Sequence, residues 1–270
     1  AAVWSASCKD GATTIAANTA VMLAKLNPAL RVGLLDLNLK NPELRVMMQH
    51  DAAGKSNALL RPRLQTGSLR PSELAEAMIP YRRAPNLRWL PGTYRRDTAG
   101  DVTAEMMETL FAVCRNTFDI TVADVSSYPD NAATVCAVRQ AEVKWLVADN
   151  RKTSYLWSWG EWYECYWKLS GVSPRDISLV LNRCNGKGNA PAKAAAALQM
   201  KLAGTVPHVD DPRALENGRL MSDETASDEF RESIRRLAGA LLTAAGREPL
   251  PDQAHTRRRS GLAAIFSGLF

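Results

Sequence analysis

The sequence is poor in the residues that build metal and disulfide sites. It has five cysteines, Cys8, Cys114, Cys136, Cys165 and Cys184, with no CxxC pair among them. A dispersed, odd set excludes a disulfide framework and fits reduced thiols in a cytosolic protein. The three histidines, His50, His208 and His255, lie far apart, which leaves no zinc or catalytic-triad spacing. No apolar run reaches the roughly 18 residues needed to cross a bilayer, and no secretory leader is visible. The first residues, AAVWSA, already read as a strand. The sequence is therefore expected to begin inside a longer protein, with a further domain upstream.

What is present is a core-forming composition, 46% hydrophobic over 270 residues, and an uneven charge. Eight arginines fall between Arg61 and Arg96 against two acids, Glu73 and Glu76, so this stretch carries the whole net charge of +6. Such a cluster is either a solvated face or a surface for nucleic acid, anionic lipid or an acidic partner.

Short apolar runs alternate with helical periods. Strands are expected at 2–6, 31–37, 87–90, 120–124, 143–148, 177–181 and 204–206. Several are continuously apolar, as in strands covered on both faces. Between them, Ile15, Thr19, Met22 and Leu26 share one helical face, and Met106, Leu110 and Val113 share another. A third face, Phe230, Ile234, Leu237 and Leu241, is preceded by Ser227 as N-cap, with Asp228 and Glu229 in the first turn and Gly246 after its end. The alternation predicts an α/β fold: a mostly parallel sheet with helices on both faces.

Chemistry concentrates where these strands end. The run SASCKDGATTIAAN leads from the first strand into a helix, whose N-terminal N–H groups and partial positive charge suit phosphate. Gly11 permits close backbone approach, and the Thr13 hydroxyl is placed to reach Mg²⁺. Asp36, followed by Asn38, closes one strand; Asp124 closes another; Asn182 closes a third. Ligands of open parallel sheets bind at such carboxyl ends. Strand-end Asp and Asn are also ordinary turn residues, so the four together carry the weight.

These segments resemble the ParA/MinD superfamily of deviant Walker ATPases, P-loop NTPase-like proteins, over roughly residues 3–246. SCKDGATTIAANTA is similar to the family loop K-G-G-x-G-K-[ST]-T and the helix after it. LLDLNLKNPEL resembles switch I, DITVADVSS resembles Walker B with switch II, and LVLNR resembles the base-recognition strand. LRWLPG and AGTVPHVDD resemble further family landmarks. The resemblance implies ATP or ADP bound by Lys9, Asp10, Gly11, Ala12, Thr13 and Thr14, with Asn182 reading adenine. It implies Mg²⁺ near Thr13, Asp36 and Asp124. A loop ending G-A-T-T resembles the CpaE/TadZ branch, whose members position and help to assemble pili. The departures matter. The signature lysine falls on Ser7, the Walker lysine on Ala12, two glycines on Cys8 and Lys9, and the water-orienting switch I aspartate on Asn38. One lost charged contact costs about 1.5–3 kcal/mol in binding, and one lost transition-state donor about 10²–10³ in rate. ATP binding with weak or absent hydrolysis is expected, and no catalytic residue is assigned.

Residues 1–248 are expected to form this nucleotide-binding domain, with a linker at 249–256 and a basic amphipathic tail at 257–270. In the tail, Leu262, Ile265, Phe266 and Leu269 recur at i, i+3, i+4 and i+7, behind Arg257, Arg258 and Arg259 and ahead of Phe270. This pattern suits an anionic membrane surface, or else a contact with the body of the protein or a neighbouring chain. A second unusual stretch, 155–167, holds four of the seven tryptophans and three of the six tyrosines. Leu156, Trp159, Tyr163 and Trp167 can line a buried face, leaving Trp157, Trp162 and Tyr166 either for the core or for a partner. The expected function is a dimeric scaffold on the cytoplasmic face of the membrane, serving a pilus or secretion apparatus. The alternatives are a cycling ATPase on a surface, or a nonspecific DNA-binding protein using the arginine cluster.

Overall fold

The computed structural model describes residues 1–48, 54–184, 190–209 and 227–250. The tail residues Arg257, Arg258, Arg259, Leu262, Ile265, Phe266, Leu269 and Phe270 lie outside these, as does most of the expected linker.

Eight strands form one sheet: β1 (Ala2–Ser5), β2 (Val32–Leu37), β3 (Ile79–Tyr81), β4 (Ala84–Leu90), β5 (Ile120–Val125), β6 (Lys144–Asp149), β7 (Ile177–Asn182) and β8 (Lys201–Thr205). Their order is β3-β4-β2-β5-β1-β6-β7-β8. All neighbours are parallel except β3 and β4. The continuous apolar runs are explained by the pleat. In β1, Trp4 faces one core and Val3 the other; in β2, Leu35 and Leu37 face the first and Leu34 the second. A strand covered on both sides has no polar face to alternate with.

On the first face lie α5 (Ala104–Thr117), α6 (Ala132–Gln140) and α8 (Ala190–Ala197), with two short helices, α3 (Arg61–Gln65) and α4 (Pro71–Ala77). A further short helix, α2 (Leu44–Met47), packs on the second face. The second face is covered by α1 (Ala12–Leu26) and by α9 (Asp228–Ala244). Being packed on both the sheet and α9, α1 is buried almost all round. In α9 the expected cap is present: the Phe230 N–H donates to Ser227 Oγ at 3.2 Å. Gly246 takes a positive φ of 63°, and the Arg247 N–H closes on the Leu242 carbonyl at 2.8 Å. No helix among the described residues is long and apolar enough to cross a membrane.

The strand expectations need three corrections. β4 begins at Ala84 rather than 87. β3 has only three residues with Pro80 at its centre, which the sequence pattern does not mark; it survives as an antiparallel edge, where proline is tolerated. β8 begins at Lys201 rather than 204, with Lys201 and Leu202 exposed at the other edge.

The aromatic stretch is corrected in register. π-Helical turns at Thr153–Ser158 and Tyr163–Trp167 flank one α-helical turn, α7 (Trp159–Trp162). The Lys168 N–H accordingly donates five residues back, to the Tyr163 carbonyl at 3.0 Å. Wider turns shift the buried stripe to a step of four: Tyr155, Trp159 and Trp167 are buried, with Tyr163 partly so, while Leu156 is 43% exposed. Trp162 and Tyr166 pack against the core, and Trp157 is left 70% exposed.

Candidate functional site

The loop between β1 and α1 holds itself together. Gly11 sits at φ 103°, and a Cβ there would stand 2.3 Å from the Asn182 amide nitrogen, so both backbone and space require glycine. That amide donates to the Asp10 carbonyl at 2.8 Å. Asn182, at the end of β7, therefore braces the loop. The Ala12 N–H donates to Ser5 Oγ at 3.2 Å, and the Ser7 N–H to Asp10 Oδ2 at 2.8 Å. The Ser154 hydroxyl, from the aromatic stretch, donates to the same Asp10 oxygen at 2.5 Å. Asp10 is fully buried and its Oδ1 has no partner among the described residues. Burial raises its pKa, while the Ser154 and Ser7 hydrogen bonds pull the other way and the charge of Asp149 adds to the rise.

Lys9, also at positive φ, turns its ammonium to Glu43 at the start of α2. The Asn41 amide donates to the same Glu43 oxygen at 2.8 Å. Lys40, in the turn after β2, pairs with Asp130 at 2.5 Å. Two ion pairs thus join the three segments that surround the strand ends.

Asp36 and Asp124 face each other across adjacent strands, as register partners of β2 and β5, and both are fully buried. Asp36 Oδ2 accepts the Leu44 N–H at 3.1 Å, and its Oδ1 is unpartnered; neither oxygen of Asp124 has a hydrogen bond among the described residues. Burial pushes the Asp36 pKa up to about 7, against the N–H groups of Leu44, Asn38 and Gly92. Burial and then the neighbouring Asp36 charge push Asp124 well above the carboxylate range, with the Thr13 hydroxyl acting against them. Gly92, just after β4, lets the chain pass close: a Cβ there would be 2.3 Å from Pro42 Cβ and 3.0 Å from Asp36 Cγ. Thr13 is buried in the first turn of α1, whereas Thr14 and Asn38 are half-buried.

Three bare, buried carboxylate oxygens beside a hydroxyl fit a hard divalent cation of the Mg²⁺ kind, held by Thr13, Asp36 and Asp124. The described residues contain no cluster of three or more His, Cys, Asp or Glu that would enclose a metal alone. Such an ion would complete its shell with water and phosphate, as Mg²⁺ commonly does. The phosphate side differs. Two of its N–H donors are already bonded within the loop, and its lysine is paired elsewhere.

Sequence reasoning missed Ser5, Glu43, Ser154 and Asp149. Asp149 ends β6 opposite Asn182 and holds Arg183 at 2.9 Å and Arg151 at 3.4 Å. A strand-end Asp followed by Asn and Arg was a readable signal. Ser154 had none, because only the fold brings it to the loop. Part of the arginine cluster is bonded within the protein, in pairs that keep much of their surface exposed. Arg61 pairs with Asp101, Arg63 with Glu73 and Arg95 with Asp97, and Arg88 donates to the Ala75 carbonyl at 2.9 Å.

No family model and no curated protein matches the sequence. Solved structures do match the fold. A ParA family ATPase from Chlorobium tepidum is 17% identical, with a TM-score of 0.72 over 88% of this chain and 97% of that one. MinD in the MinC:MinD complex of Aquifex aeolicus is 17% identical, with a TM-score of 0.68 over 93% and 98%. MinD from Pyrococcus horikoshii, complexed with Mg-ADP, is 17% identical, with a TM-score of 0.66 over 91% and 98%. The chain has the fold of the ParA/MinD ATPases.

Proposed function

We propose that this protein is a degenerate ParA/MinD-like nucleotide-binding scaffold of the CpaE/TadZ type. It takes ATP or ADP with Mg²⁺ weakly or moderately, hydrolyses it slowly or not at all, and acts as a dimer. The observation that carries this is the asymmetry of the loop. The buried pair Asp36 and Asp124 keeps bare oxygens suited to Mg²⁺, while neither Ser7 nor Ala12 offers an ammonium and Lys9 is bound to Glu43. Cation-dependent nucleotide binding can outlive the loss of phosphate charges, but phosphoryl transfer depends on those charges. Lys9, Asp10, Gly11, Ala12, Thr13, Thr14 and Asn182 would form the nucleotide's surroundings, with Asn182 also bracing the loop. In this reading the dimer recruits a pilus or secretion apparatus. Its C-terminal tails hold it on the anionic inner face of the cell membrane, and two tails bind far better than one. A nonspecific DNA-binding role is disfavoured by the apolar tail, because DNA does not reward Phe266 and Phe270.

Titration calorimetry with ATP and Mg²⁺, together with mass measurement of the dimer and phosphate-release kinetics, tests this. Saturable binding without appreciable turnover is the expected result. Rapid turnover that is lost in Asp124→Ala would replace this proposal with an active, cycling ATPase.

A further inference from the structure

The carboxylate of Asp10 belongs to neither the cation side of the site nor the strand ends. It lies inside the loop. The Ser7 N–H donates to its Oδ2 at 2.8 Å while the Asp10 N–H donates back to the Ser7 carbonyl at 3.3 Å, so the first turn of the loop closes on itself. The Ser154 hydroxyl reaches the same Oδ2 at 2.5 Å from 144 positions away. The side chain is fully buried, and its Oδ1 has no partner among the described residues. Gly11 follows directly and Ala12 begins α1, so a buried acid stands two residues ahead of a helix N-terminus.

That N-terminus is the part of the loop suited to phosphate, because it favours negative charge. An anion built into the loop draws on the same field. It also repels a second anion, strongly where water is excluded and the separation is short. Cations that could neutralise it are turned to other acids: Lys9, the adjoining residue, to Glu43, and Arg151 and Arg183 to Asp149. The hydroxyl that holds the carboxylate is itself fixed by packing. Ser154 is buried, and its π-helical turn leads into the segment whose Trp159 and Trp167 pack on Trp4 of β1.

We infer that Asp10 is a built-in anion that opposes phosphate within its own loop, and that Ser154 is the positioning residue that keeps it there, an inference that rests on this loop facing the phosphates of a nucleotide. The missing ammonium groups are then only part of the loop's weakness, since the loop also carries a charge against its ligand. A shift of the aromatic stretch that withdraws Ser154 loosens this anion and opens the loop to phosphate, which makes the stretch a regulator of the site.

Calorimetric titrations of the full chain with Mg-ATP, and separately with inorganic tripolyphosphate, compare the parent with three variants. Asp10→Asn keeps the shape and an acceptor for the Ser7 N–H but removes the charge, and is expected to tighten both ligands about tenfold. Ser154→Ala takes one partner from the carboxylate and is expected to tighten both by about threefold. Asp10→Glu keeps the charge and is expected to give no gain, which separates the effect of charge from that of a loosened loop. Near-ultraviolet circular dichroism of the packed tryptophans checks that each variant keeps its fold. Equal affinities in the parent and Asp10→Asn overturn the inference, and so does an equal gain in Asp10→Glu. A gain in Asp10→Asn with none in Ser154→Ala overturns the role of Ser154. The nucleotide reading fails separately, when the parent shows no saturable binding of Mg-ATP. Tripolyphosphate binding gained in Asp10→Asn still supports the built-in anion in that case, and no binding in any form counts against both.

Discussion

The two halves of the loop edge have been treated differently. On the cation side, Asp36 and Asp124 are fully buried with bare oxygens and strongly raised proton affinity. On the phosphate side, donors are already satisfied by Ser5 and Asp10, and the local lysine is held by Glu43. A buried like-charged pair is expensive to keep, whereas a self-bonded loop is stable alone. The contrast separates two properties that a nucleotide site normally joins: the cation that organises the ligand, and the charges that stabilise transfer. In the proposed function the first is kept and the second is replaced by internal structure.

Four substitutions break or sharpen this contrast, beginning with the largest effect. Gly11→Ala forces a Cβ against Asn182 at a φ few residues accept, and is expected to destabilise the protein by about 2–4 kcal/mol in urea unfolding. Asp124→Asn acts in the opposite direction. A carboxyl whose folded pKa is raised keeps its proton longer in the folded than in the unfolded chain, so stability falls as pH rises from about 4. With Asp36 at about 7 and Asp124 also raised, the fall runs through neutrality. The variant should therefore be more stable than the parent at pH 8, should show little gain at pH 4, and should lose any Mg²⁺-dependent rise in Tm; thermal melts at both pH values report all three. Ala12→Lys returns an ammonium to the phosphate side and should tighten ATP about 10–100-fold by calorimetry, with turnover remaining low until Asn38→Asp is added. Glu43→Gln has the smallest effect. It frees Lys9 from an exposed pair worth less than about 1 kcal/mol, tightening ATP a fewfold at low salt and not at high salt.

Much of the fold was legible because two-sided burial writes strands as continuous apolar runs, and because α9 carries its cap and its terminal glycine in sequence. β3 was not legible, since three residues around a proline give no period. The aromatic stretch was misread by one residue at Leu156 because a 3.6-residue period was assumed where hydrogen bonds run five residues back. In the site, Thr13, Asp36, Asp124 and Asn182 stood out because each follows or ends an apolar strand, and the fold does bring them to one edge of the sheet. The partners of Asp10 were invisible: Ser154 is 144 positions away, and no local pattern records a contact made by tertiary packing. The pairing of Lys9 with Glu43, 34 positions on, was hidden in the same way.

Trp4, on the strand that feeds the loop, lies between Trp159 and Trp167, with ring centroids 6.4 and 6.1 Å away. Indoles this close couple electronically. A small displacement of the end of β1 would alter their near-ultraviolet circular dichroism, so the protein carries an optical gauge of its own loop that needs no label.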